Sequence, residues 1–147
     1  MKKFCLLLVL TFLSCNLAMA KDNYGFINLP YIMSKYSVAV SVQNNIKQRE
    51  TEIQRLLNDA NKRIAATKDE ATKKNIEAAA KKQIQPKLDS LTSYKKQQYE
   101  KIQLSINNAI SKVAKANNYA LILNDASVAY GATNVSDLIL KELAQTR

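Results

Sequence analysis

No glycine stands between Gly25 and Gly131, and over most of that interval apolar residues recur at helical spacing. Glycine is the usual residue where a chain must turn sharply. A tract this long without one, rich in Lys, Gln, Asn and Ala, reads as long helices. From Ser37 to about Thr67, Val38, Val42, Ile46, Ile53, Leu56/Leu57, Ala60 and Ile64 draw a narrow apolar stripe. Ile46, Ile53 and Ala60 are strict seven-residue steps, as in a coiled-coil seam. A second stripe, Leu88, Leu91, Tyr94, Ile102, Ile106, Ala109/Ile110 and Val113, runs to about Ala116. Between them Thr67–Asn75 has no apolar residue larger than Ala, and the turn of a helical hairpin is placed there. Pro86 interrupts the second stripe. Arms of comparable length favour a kink in the returning helix over a tip at Pro86.

The segments on either side of the hairpin are different in kind. Residues 24–28 alternate as a strand, and Pro30 suits the first turn of a helix. After the return arm, Asn117-Asn118 is a helix stop. Tyr119–Leu123 and Val128–Tyr130 read as strands around a turn at residues 124–127. Asn134-x-x-Asp137 resembles a capping box opening a terminal helix with Leu138, Ile139, Leu140 and Leu143. Three short strands make a poor core. Phe26, Ile27, Leu121, Ile122, Leu123 and Val128 cannot all face inward in one copy, and bare strand edges invite other copies. These six and Tyr130 are therefore assigned to oligomerisation. The expected fold is mainly α with a small β body, a long helical hairpin projecting from a shared oligomeric β core. Residues 21–36 and 117–147 form the body, and residues 37–116 form the arm.

The first twenty residues are read as a leader. "MKK", the apolar run Phe4–Leu13 and the small-x-small "AMA" make a secretory signal peptide cleaved after Ala20. No later stretch reaches transmembrane length, so an exported, soluble chain is expected. The alternative is a lipid anchor at Cys15. Without the leader the chain has no cysteine.

Charge is concentrated in the arm. Residues 45–115 hold sixteen Lys and Arg against eight Asp and Glu, which accounts for the formal +8 of the chain beyond the leader. Lys47, Arg49, Arg55, Lys62, Arg63, Lys73, Lys74, Lys81, Lys82, Lys95, Lys96 and Lys101 create a field that attracts anionic chains. Tyr94 and Tyr99 join an apolar ring to a polar tip; five residues apart, they do not share a face, so at least one leaves the seam. These residues are the candidate binding set. Catalytic chemistry is not expected. The chain has no His, and two glycines make no phosphate loop. The adjacent acids Asp69-Glu70 stand without a ligand set. Neither metal nor cofactor is expected. Nucleic acid is not expected either, because an exported chain with few aromatic side chains lacks a stacking groove.

The layout resembles the Skp/OmpH family of periplasmic chaperones. The segments that carry the resemblance are "GFINLPYIMSKYSVAV", "AISKVAKANNYALILNDASVAYG" (109–131) and "VSDLILKEL" (135–143), with "VAY" (128–130) the most specific. Related sequences often place Asp after the apolar strand, where this chain has Asn124. The resemblance implies a homotrimer with three arms around a cavity. It implies an ATP-independent holdase for unfolded outer-membrane β-barrel proteins in the periplasm. It also implies contact with lipopolysaccharide or other anionic lipid through basic arm residues, none of which is assigned to a position here. The rival expectation is a structural or adaptor coiled coil of the cell envelope.

Overall fold

The computed structural model describes residues 23–145. The expected leader, its cleavage after Ala20 and the alternative anchor at Cys15 lie outside the described residues.

The chain builds a three-stranded parallel sheet with a helical hairpin inserted between its strands. In order the elements are β1 (Asn23–Ile27), α1 (Leu29–Lys35), α2 (Ser37–Ala66), α3 (Glu70–Ala116), β2 (Tyr119–Asn124), a 3-10 turn (Asp125–Ser127), β3 (Thr133–Asn134) and α4 (Ser136–Gln145). The sheet order is β2-β1-β3, and both outer strands run parallel to β1. Parallel neighbours need a long crossover. Between β1 and β2 that crossover is the entire hairpin, which returns Tyr119 to the level of Asn23.

The body's core lies where α1, α4 and the base of α3 meet the sheet. Ile32, Val135 and Ile139 are fully buried, with Ile27, Ala39, Ile106, Ala109, Val113 and Leu143 around them. Gly25 sits in the middle of β1. A Cβ there would come within 3.2 Å of Ile122 and 3.4 Å of Tyr119 and Val135, so a larger residue would push these side chains back by a few tenths of an ångström. A slip in the β1–β2 register between Asn23 and Tyr24 breaks the alternation of β2. Tyr119 and Ile122 are half-buried, while Leu121 and Leu123 stay exposed.

Asn28 ties the body together. Its Oδ1 accepts from the Tyr31 amide at 2.7 Å and caps α1. Its Nδ2 donates to Asp125 Oδ2 at 2.6 Å, and its own amide donates to Ser136 Oγ at 2.9 Å. One residue thus joins the end of β1 to the turn after β2 and to the start of α4. Tyr31 adds a second tie, donating to Asp137 Oδ1 at 3.0 Å, and its phenol pKa is raised by that carboxylate.

The arm follows the seven-residue pattern. Ile46, Ile53 and Ala60 are buried on α2, opposite Ile76, Ile84 and Leu91 on α3. At about 1.5 Å per residue α2 spans roughly 45 Å and α3 roughly 70 Å. Three residues assigned to the stripes lie off it: Val38 is 41% exposed, Leu57 39% and Leu88 41%. Leu57 and Leu88 each fall four residues from a seam position, Ile53 and Ile84, and so sit at its shoulder. Pro86 lies inside α3, which continues through it. A proline there forfeits one helical hydrogen bond and costs about 3 kcal/mol. Ile84 and Leu91, buried on either side, hold the helix to its partner and offset that loss.

The tip is shorter than predicted. Only Thr67–Asp69 separate the two helices, because Asp69 starts α3 at once. Its carboxylate accepts from the Thr72 amide at 2.8 Å and from the Thr72 hydroxyl. These bonds, the hydroxyl first, lower the Asp69 pKa. A depressed carboxylate pKa contributes stability above its unfolded value, and that contribution is lost as pH falls through the folded value. The amides of Ala71 and Thr72 are therefore expected to lose hydrogen-exchange protection as pH drops below the ordinary Asp range near ~3.9, before the seam opens. In Asp69→Ala they are expected to be equally unprotected at neutral and acid pH.

At the other end Asn118 takes φ 53° and stops α3 as expected. Two expectations there are corrected. Val128–Tyr130 is not a strand; the third strand is Thr133–Asn134, paired with Gly25 and Phe26. After β2 the chain must cross from one edge of β1 to the other. Residues 128–131 are used in that crossing, with Gly131 at φ 87° making the turn. Nor does Asn134 open a capping box. Its Oδ1 accepts from the Ser136 amide at 3.0 Å, a local turn, and α4 begins at Ser136.

Candidate functional site

Two surfaces carry exposed chemistry. The first is the arm. Of the candidate cations, Lys73 is bound to Glu70 at 2.6 Å and Lys95 to Glu50 at 2.6 Å. Arg49 lies over the Tyr94 ring, 4.4 Å from its centroid. Lys47, Arg55, Lys62, Arg63, Lys74, Lys81, Lys82, Lys96 and Lys101 are exposed and make no ion pair among the described residues. Lys87, outside the predicted set, bridges the hairpin to Glu52 at 2.7 Å and lowers the Glu52 pKa, with smaller help from Arg55 and Arg49. The two tyrosines separate as their spacing requires. Tyr94 is half-buried against the seam under Arg49, and Tyr99 is 43% exposed.

Seven-residue steps sort the arm residues into two flanks. Arg49, Leu56 and Arg63 on α2 face Ala80, Lys87 and Tyr94 on α3. Glu50, Leu57 and Ile64 face Lys74, Lys81, Leu88 and Lys95 on the other side. Near the tip the seam narrows to alanine, Ala60 against Ala80, and leaves a hollow on each flank. One, of about 480 Å³, is lined by Leu56, Asp59, Lys62, Arg63, Ile76 and Gln83, among others. The other, of about 300 Å³, is lined by Leu57, Asn61, Ile64, Lys81, Ile84 and Gln85, among others.

The second surface is the outer side of the sheet. Tyr24 is 46% exposed, Leu121 47%, Leu123 38% and Tyr130 98%, around a shallow hollow of about 350 Å³. Among the described residues no strand lies beyond β2. The residues assigned to oligomerisation thus divide. Leu121, Leu123 and Tyr130 are exposed, Phe26, Ile122 and Val128 are half-buried, and Ile27 is buried in the chain's own core. Sequence reasoning missed Tyr24, which the β1–β2 register sets opposite Leu121. Its alternation with Phe26 was the available signal.

Among the described residues no three His, Cys, Asp or Glu side chains converge as metal ligands, and no helix is long and apolar enough to cross a membrane.

Residues 23–143 match the family of outer membrane proteins described as OmpH-like. No curated protein matches the chain. Among solved structures, a Caulobacter crescentus protein described as a candidate outer membrane chaperone (OmpH-like) is similar at TM-score 0.54 and 14% identity, over 87% of each chain. At that identity the likeness is one of fold. The sequence match over nearly all the described residues is the stronger finding, and by it this chain belongs to the OmpH-like family of outer membrane proteins.

Proposed function

We propose that the chain is an ATP-independent periplasmic holdase, a homotrimer whose arms enclose unfolded outer-membrane β-barrel proteins and keep them from aggregating before insertion. The observation that carries this reading is the arm surface: nine exposed cations without ion-pair partners among the described residues, interspersed with exposed Leu57, Leu88 and Tyr99. A pocket for a small substrate would bury its polar groups around one point. Here the contacts are spread along two helices, each weak and all exposed. Many weak contacts in one enclosure raise effective concentration and hold a chain without fixing it. Release then needs only a more stable fate for the client. The family match and the description of the Caulobacter protein as a candidate chaperone support this reading, and the leader expected over residues 1–20 agrees with a periplasmic site.

The test is light scattering as an outer-membrane barrel protein is diluted out of urea, with and without a stoichiometric amount of the mature chain. Scattering is expected to be suppressed, with slower capture at high salt because the field of the arms is screened. Unchanged aggregation at low salt rejects the proposal.

A further inference from the structure

The two flanks of the arm are not equivalent. Between residues 49 and 99 the large exposed apolar side chains are Leu57, Leu88 and Tyr99. All three lie on the flank marked by the Glu50–Lys95 bridge. Leu57 is seven residues after Glu50, Leu88 seven before Lys95, and Tyr99 one helical turn beyond Lys95. The line continues toward the tip at Lys81 and Lys74, also in seven-residue steps, and both ammonium groups lack an ion-pair partner among the described residues. On the opposite flank the equivalent apolar groups are roofed. Arg49 covers Tyr94 at 4.4 Å, the Glu52–Lys87 bridge spans the helices at 2.7 Å, and Leu56 is half-buried. The hollow on that side is larger, and its lining mixes Leu56, Ile76 and Ala79 with Asp59, Lys62, Arg63 and Gln83.

We infer that the flank carrying Leu57, Leu88 and Tyr99 is the one that receives the client, and that its ligand is an extended polypeptide segment with apolar side chains and carboxylates. From Lys81 to Tyr99 the line runs roughly 27 Å along α3 at ~1.5 Å per residue. An extended chain at ~3.3 Å per residue spans it with about eight residues. Lys74 and Lys81 at the tip end meet acidic groups, and Leu88, Leu57 and Tyr99 meet apolar ones. This inference rests on the holdase reading and adds to it which side of each arm faces the cavity.

Photocrosslinking tests it in the full mature chain. p-Benzoylphenylalanine replaces Leu57, Leu88 or Tyr99 on one flank, and Leu56, Arg63 or Lys87 on the other, and the probe is an unfolded outer-membrane barrel protein diluted from urea. Crosslinks to the barrel protein are expected from positions 57, 88 and 99 at about tenfold the yield of positions 56, 63 and 87. Leu57→Ser with Leu88→Ser and Tyr99→Ser, which leaves the seam intact, is expected to weaken holding by a similar factor. Suppressed aggregation with equal or reversed crosslinking overturns the flank assignment and leaves the holdase reading standing. Crosslinks only between copies of the chain overturn it in favour of an arm–arm contact. No crosslinks together with unchanged aggregation overturn both.

Discussion

If the chain forms the proposed oligomer, replacing Leu121 and Leu123 together with Asp is expected to reduce its mass from that of the assembly to that of a single chain, measured by sedimentation or native mass spectrometry. Both leucines stand on β2, at the sheet's outer edge, where Leu121 is 47% and Leu123 38% exposed. With Tyr24 and the nearly bare Tyr130 they form one apolar face. The chain's own core does not use that face: Ile32, Val135 and Ile139 are fully buried without it. An interface built there buries the leucines and adds backbone pairing along β2. A carboxylate forced into such an interface without a partner costs several kcal/mol, and each associated copy brings two. Folding of the single chain is left almost untouched, since both side chains already face outward. Leu104→Asp, at a 63% exposed position on the arm, is the control and is expected to keep the associated mass. Loss of mass should bring loss of holding, because separate arms enclose nothing. A wild-type protein that sediments as one chain removes the shared β core and the cavity with it.

How much of this was legible in the sequence depended on the kind of signal. The seam was plain, since Ile46, Ile53 and Ala60 repeat at seven residues in a polar background. Leu57 and Leu88 were counted into it because composition does not tell a seam leucine from one at its shoulder. The distinction needs the partner helix, and the Glu50–Lys95 bridge supplies it by marking which side each residue occupies. Pro86 was read as lying within the returning helix, and it does, because helix packing on both sides outweighs a local preference. The strand at Val128–Tyr130 was misread for a topological reason. β-branched and aromatic residues after a turn look like the second half of a hairpin, and nothing local shows that β2 runs parallel to β1. Once it does, the next segment is a crossing rather than a strand. The exposure of Leu121 and Leu123 was legible in the sequence, while Ile27, grouped with them, is buried in the chain's own core, because burial on one face of a strand depends on register.

Asn28 was invisible to pattern reasoning, and its substitution is expected to have the largest effect of any exposed or half-buried polar residue in the body. Asn28→Ala keeps the backbone bond to Ser136 Oγ but deletes the cap on the Tyr31 amide and the bond to Asp125 Oδ2. A lost helix cap costs about 1 kcal/mol. A hydrogen bond to a charged acceptor is worth about 1.5–3 kcal/mol, at the lower end here because Asp125 is only half-buried. Together these place the loss at about 2–3 kcal/mol, measured as a shifted urea midpoint at fixed protein concentration, since the proposed association would itself add stability. The size is less informative than the pattern. Asn28→Asp retains the cap oxygen but sets a carboxylate against Asp125, which donated nothing and now meets a like charge. That variant should be as unstable as Asn28→Ala at neutral pH. It should recover below pH ~4, where the introduced carboxyl takes a proton and restores a donor to Asp125, whereas Asn28→Ala should gain nothing from acid. If both variants respond to pH alike, the Asn28–Asp125 bond does not hold the turn after β2 to the end of β1, and the strand that bears the outer apolar face is positioned by packing alone.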